Sequence, residues 1–207
     1  MVDSARHTAT EDIEVVCYVD TDEPRLSEYR GLDVKLFTTP RTTLSKYWNM
    51  AYERATGDIF MHCGDDLIFR THGWDEMVKN KFNEYPDKIV FVHGNDGHPD
   101  KDRAQSFGTH GFLHKNWVEA VGHFVPPHFS SDYNDTWLND VAEMIGRKAY
   151  VPIFTEHMHP AFSKGELDKT HQERIIRHQQ DHPETLYSQT IDERREDARK
   201  LREVMVG

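Results

Sequence analysis

Apolar positions along the chain follow two different periods. Short β-branched or aromatic runs at residues 13–19, 34–37, 59–63, 89–93 and 149–155 predict buried strands. Between them, apolar residues recur at helical spacing. Leu44, Tyr47, Trp48, Ala51, Tyr52 and Ala55 predict one helix, with Gly57 as its stop. Residues 74–82, 116–121 and 135–145 predict three more, the second stopped at Gly122. Residues 1–10 read as the end of a helix and 107–113 as extended, and the polar stretch 97–106 reads as a mobile connection. After Pro160 the pattern is helical and highly charged, and 192–203 mixes signs in the manner of a solvated helix.

Strands alternating with helices predict an α/β fold, a mixed but mostly parallel sheet with helices on both faces. One domain is expected over 1–160 and a charged helical extension over 161–207. In such sheets ligands bind at the carboxyl ends of the strands. Those ends carry Asp20 and Asp22, Asp65 and Asp66, Asn95 and Asp96, and His157 and His159. Acids, amides and histidines at four strand ends predict one polar site.

Composition narrows the partners. A formal net charge of -11 argues against general affinity for a phosphate backbone, which is largely electrostatic. No apolar run approaches the roughly 20 residues of a membrane span. Cys17 and Cys63 sit in separate apolar runs and make no disulfide framework, so a reducing, cytoplasmic setting is expected. The chain has 14 histidines, most of them expected to be uncharged at neutral pH.

Adjacent carboxylates at a strand end repel unless a cation or hydrogen-bond donors offset them. A hard divalent ion, Mg²⁺ or Mn²⁺, takes such oxygen ligands and bridges to substrate phosphates. The alternative is that one acid caps the next turn while the other is solvated.

The stretch 44–69 resembles the central signature of family 2 glycosyltransferases of the GT-A type. It has a helix bearing Asn49, then Ala55-Thr56-Gly57-Asp58, an apolar strand, and Gly64-Asp65-Asp66. Aligned without gaps from Gly57, the first acid of the family's D-x-D metal motif falls on Gly64 and the second on Asp66. The resemblance therefore implies Asp66 as a metal ligand, with Asp65 near the ribose or the metal shell and Asn49 on the donor side. It implies that Asp20, or alternatively Asp22, faces the nucleotide base. Tyr133-Asn134-Asp135 stands where the family has Glu-Asp, which implies Asp135 as catalytic base, with Asp132 as fallback. Asp135 can equally serve as a helix-capping or first-turn acid. One of His157 and His159, alternating at a strand end, is implied as a metal ligand, and Lys164 either reaches a diphosphate or is a surface lysine.

The resemblance covers about residues 1–160, and the short chain with its GDD and HMHP pattern looks most like phage or environmental members. It would then work in the cytoplasm of a host cell. The family's usual first strand is not seen, and a start inside the first helix is expected. The implied activity is metal-dependent, inverting transfer of a sugar from a nucleotide diphosphate sugar to an acceptor hydroxyl. The acceptor could be a glycan, a lipid-linked sugar, a protein or a modified DNA base. Alternatives are a non-catalytic GT-A-like binding protein and a sugar nucleotidyltransferase of the same fold. A viral-polymerase-like site does not suit so short and acidic a chain, and zinc hydrolase spacing is absent. Trp117 and Trp137 are read as core residues, or as platforms for a sugar ring.

Overall fold

The computed structural model describes residues 1–164 and 169–206. Residues 165–168 and 207 of the expected extension lie outside the described residues. In chain order the elements are α1 (Val2–Thr8), β1 (Val16–Asp20), α2 (Leu26–Tyr29), β2 (Lys35–Thr39), α3 (Leu44–Arg54), β3 (Ile59–His62), β4 (Leu67–Phe69), α4 (Trp74–Asn83), β5 (Phe91–Asn95), α5 (Lys101–Ser106), β6 (Gly111–His114), α6 (Lys115–Val121), α7 (Asn134–Met144) and β7 (Lys148–His157). A 3₁₀ turn at Pro160–Phe162 leads on to α8 (Lys169–Asp181), α9 (Pro183–Gln189) and α10 (Ile191–Val204).

The fold is mixed α/β, but its strands are not mostly parallel. β1 and β2 pair in parallel as a separate two-stranded sheet. The main sheet has the order β3-β6-β5-β7-β4, and only β5 and β7 run parallel in it. The pairs β3–β6, β5–β6 and β4–β7 are antiparallel. β6 follows β5 by way of α5 and runs back antiparallel beside it. The segment read as a mobile connection contains α5, whose first turn is capped by the Asp100 side chain on the amides of Asp102 and Arg103.

The alternation of side chains along the strands builds two cores, one on each face of the main sheet. Phe91 and Leu113 point to the face covered by α6, α7 and α10. Val90, Val92 and Phe112 point to the face covered by α1 and α4. Helices thus cover both faces, as expected. Gly94 permits the close approach of β5 to β7, since a Cβ there would stand 2.7 Å from the Ile153 carbonyl oxygen.

The charged stretch 192–203 is helical but not solvated all round. Arg194, Asp197, Ala198 and Leu201, at helical spacing, are buried. Its two buried charges are partnered. Arg194 donates to Asp140 at 2.7 Å, and Asp197 accepts from the Trp137 indole at 3.0 Å. Among the described residues, no helix is long and apolar enough to cross a membrane.

Candidate metal and donor site

Three of the four polar strand ends meet. The amide of His157, at the end of β7, donates to the Asp96 carbonyl beyond β5. The amide of Met158 donates to the Asp66 carbonyl just before β4. This backbone lacing places the Asp66 carboxylate 3.0 Å from His157 Nε2. Burial alone would raise the pKa of Asp66, but the hydrogen bond and charge of His157 outweigh it and the net direction is down. Asp66 is therefore an anion at neutral pH, the form that ligates a cation.

The two adjacent acids diverge. Asp65 is exposed, and its charge acts on Cys17 of β1 and on Tyr29, whose pKa values it helps burial to raise. A Cβ at Gly64 would stand 2.6 Å from Asp66 Oδ1, the far end of a side chain that can move aside.

His157 and His159 do not point apart. β7 ends at His157, so the alternation of a strand no longer governs His159, and the two rings lie 5.1 Å apart. His110 lies 4.7 Å from His157 on another side. Beyond it is His62, 6.5 Å from His110 and packed edge-on against Trp48 at 5.2 Å. A row of imidazoles thus runs from the core to the Asp66 carboxylate. Its donor chemistry, carboxylate oxygen plus imidazole nitrogen with the His157 Nδ1 buried and unpartnered, fits a divalent transition ion. Among the described residues, no three His, Cys, Asp or Glu side chains already stand in coordinating geometry.

The helix α8 ties in the remaining candidates. Arg41 donates to Asp20 at 2.8 Å and to Glu173 of α8 at 2.7 Å. The Tyr47 hydroxyl also donates to Asp20. Burial would raise the pKa of Asp20, but Tyr47 and Arg41 outweigh it and lower it. Arg174, the next residue of α8, donates to Asp132 at 2.7 Å and faces His159 Nε2 at 3.5 Å. His178 places Nδ1 2.7 Å from Asp132 and Nε2 2.6 Å from Glu184. Asp132 is thus engaged by the Arg174 guanidinium and the His178 ring.

Asp135 opens α7 and accepts from the Thr136 amide at 2.8 Å. Burial raises its pKa, the direction that suits a base near neutral pH. Tyr133, the N-cap of α7, has φ 74°, a left-handed conformation uncommon for a side chain of this size. Lys164 ion-pairs with Glu156 at 2.9 Å beside the Gly97 turn. Asp22 lies exposed in the turn after β1.

Asn49 stands apart. Its amide donates to the carbonyls of Ser45 and Val125 and accepts from the amides of Phe124 and Val125. It fastens the 124–125 loop to α3, and that role engages both ends of the side chain. Trp117 and Trp137 are each 1% exposed, so neither offers a face to a sugar. Cys17 and Cys63 are free thiols, and burial with the nearby Asp66 pushes Cys63 up to about 12, far from a reactive thiolate.

His62, His110, Arg41 and Arg174 were not singled out from the sequence. His110 had one available signal, its place between Gly108 and Gly111 at the mouth of a strand. Arg174 had none, because it lies 42 positions from Asp132 on a helix whose period resembles a solvated one.

The buried imidazoles make stability depend on pH. Burial lowers both His62 and His93 to about 4, against about 6.5 in the unfolded chain. Between these values the unfolded chain takes up protons that the folded protein does not. Stability is full above about pH 6.5 and falls as pH drops toward 4, by on the order of 3 kcal/mol per imidazole. Asp135, raised by burial, works in the opposite direction. Urea midpoints measured from pH 7 to 4.5 should fall steadily, and His62→Phe should flatten the slope. A flat wild-type profile would refute this account.

No protein-family model matches the chain, and a search of curated proteins returns no match.

Proposed function

We propose that this chain is a metal-dependent glycosyltransferase of the GT-A type, transferring a sugar from a nucleotide diphosphate sugar to an acceptor hydroxyl with inversion. The observation that carries the reading is the Asp66–His157 pair at 3.0 Å, formed by two separate strand ends beside Asp96. That pair, with His159 beside it, would hold Mn²⁺ or Mg²⁺. A bound divalent ion supplies charge compensation to a departing diphosphate. Asp135, its pKa raised by burial, accepts the proton of the acceptor hydroxyl. Asp20 and Asp65, with Asp22 alongside, receive the nucleoside, and Lys164 reaches the diphosphate after leaving Glu156. The acceptor belongs to one of four classes: a glycan, a lipid-linked sugar, a protein or a modified DNA base. A cytoplasmic site of action, in a host cell if the chain is phage-encoded, belongs to the same reading.

A second reading is a non-catalytic binding protein of the same fold. It draws on Asp20 being engaged by Arg41 and Tyr47 and on Asn49 being used to fasten a loop. Calorimetric titration of UDP and GDP with and without Mn²⁺, followed by assay of donor hydrolysis, separates the two. Metal-dependent binding with turnover supports the enzyme. Binding without turnover supports the binder, and no binding to the folded chain rejects both.

A further inference from the structure

We propose that His110 is a further ligand of the ion held by Asp66 and His157, and that this set prefers an imidazole-binding first-row ion of the Zn²⁺, Co²⁺ or Fe²⁺ type over Mg²⁺. The proposal rests on the reading of Asp66 and His157 as an ion-binding pair.

His110 is 8% exposed, and neither of its ring nitrogens makes a well-aligned hydrogen bond among the described residues, although the ring stands near the His62 backbone. An unpaired buried polar group costs roughly 1–3 kcal/mol, so a native structure that keeps one calls for a specific reason. His62 also lacks a well-aligned hydrogen bond, but it stands near the Thr109 and Gly111 backbone, and rings of Trp48, Phe91 and Phe124 pack around it, an environment that suits a neutral core imidazole. His110 instead meets the His157 ring at 4.7 Å and 80°, and His157 in turn meets Asp66.

The backbone around His110 is pinned on both sides. Asn139 of α7 donates to the Gly108 carbonyl and accepts from the Gly108 amide, both at 2.9 Å. Thr109 donates its hydroxyl to the buried Asp96 at 2.7 Å. Gly111 then enters β6 against His62 and His93. A backbone held this firmly, carrying a buried imidazole without a well-aligned hydrogen bond beside a carboxylate–imidazole pair, has the character of a prepared ligand position. Asp66, His157 and His110 do not yet stand in coordinating geometry, and rotation of the His110 and His157 side chains would be needed to turn their nitrogens onto one ion. Two imidazoles and one carboxylate favour Zn²⁺-type ions, whereas Mg²⁺ requires oxygen donors and keeps its water.

Co²⁺ alone, titrated into the full chain without any nucleotide, tests this through its visible d–d absorption. The expected result is a bound Co²⁺ spectrum displaced by Zn²⁺ but not by excess Mg²⁺. His110→Ala and His110→Asn should weaken Co²⁺ binding at least about tenfold with unchanged far-UV circular dichroism. Folded His110 variants that bind Co²⁺ as the wild type does, while Asp66→Asn loses it, would overturn the role of His110 and leave the proposed function standing. No Co²⁺ binding by the folded wild type would overturn this proposal, and nucleotide titration with Mg²⁺ then judges the function separately. If the variants do not fold, the wild type suffices. Zn²⁺ should shift the ring nitrogen resonances of His110 together with those of His157, and an unmoved His110 refutes the assignment.

Discussion

Asp66→Asn is expected to lower metal-dependent consumption of a nucleotide diphosphate sugar about 10²–10³-fold while the protein stays folded. A bound ion contributes several kcal/mol of charge stabilisation to such a reaction, and each 1.36 kcal/mol is about tenfold in rate. The amide is nearly the same size as the carboxylate and can still accept a hydrogen bond from His157, so the lacing of β4 against β7 survives. What disappears is the anion. Asp65→Asn is the matched control, because Asp65 is exposed and has no part in the Asp66–His157 pair. It should cost less than about tenfold, in nucleotide binding rather than in metal dependence. Equal losses in the two variants would mean that the acids act as one diffuse negative patch, and the reading of Asp66 as ligand would fail. The assay is release of nucleoside diphosphate at fixed donor, across a Mn²⁺ titration.

The fold places the two acids in different surroundings for a reason that no local pattern of the chain shows. From the chain alone, Asp65 and Asp66 are neighbours on a turn, and only the alignment on Gly57 favoured the second. The structure separates them because Met158 and His157, some ninety residues later, bond to the backbone at Asp66 and Asp96. No local pattern carries that information. Strongly periodic elements were legible by contrast. The helix α3 runs over Leu44–Arg54, where apolar residues recur at helical spacing, and α6 stops at Gly122 with φ 94°. The direction of β6 was not legible, since an apolar run reads the same for a parallel or an antiparallel neighbour. The alternation expected for His157 and His159 fails for a related reason. The alternation rule holds only while the strand lasts, and β7 ends two residues earlier.

The charged C-terminal stretch shows how a helical pattern can mislead about burial, and it sets up the largest expected change in stability. Trp137→Ala is expected to destabilise the protein by about 3–5 kcal/mol, the range for removing a large aromatic from a packed core. Trp137 is 1% exposed in the core shared by α6, α7 and α10. Its indole nitrogen donates to the buried Asp197 at 3.0 Å, and the Arg194 guanidinium stands 5.3 Å from its ring. Alanine would leave a cavity, and it would leave Asp197 with His123, at 3.1 Å, as its remaining side-chain partner. Trp137→Phe keeps most of the volume and removes the donor, so it should cost less, about 1–3 kcal/mol. Because Ala198 and Leu201 are fully buried in the same cluster, α10 should unfold together with the sheet in a single transition. Urea unfolding followed by both tryptophan fluorescence and far-UV circular dichroism checks this. Coincident curves shifted to lower urea in Trp137→Ala would show that residues 191–204 belong to the core. An early, separate transition that leaves the sheet intact would show instead that α10 docks as an independent unit, and the destabilisation would then be confined to it.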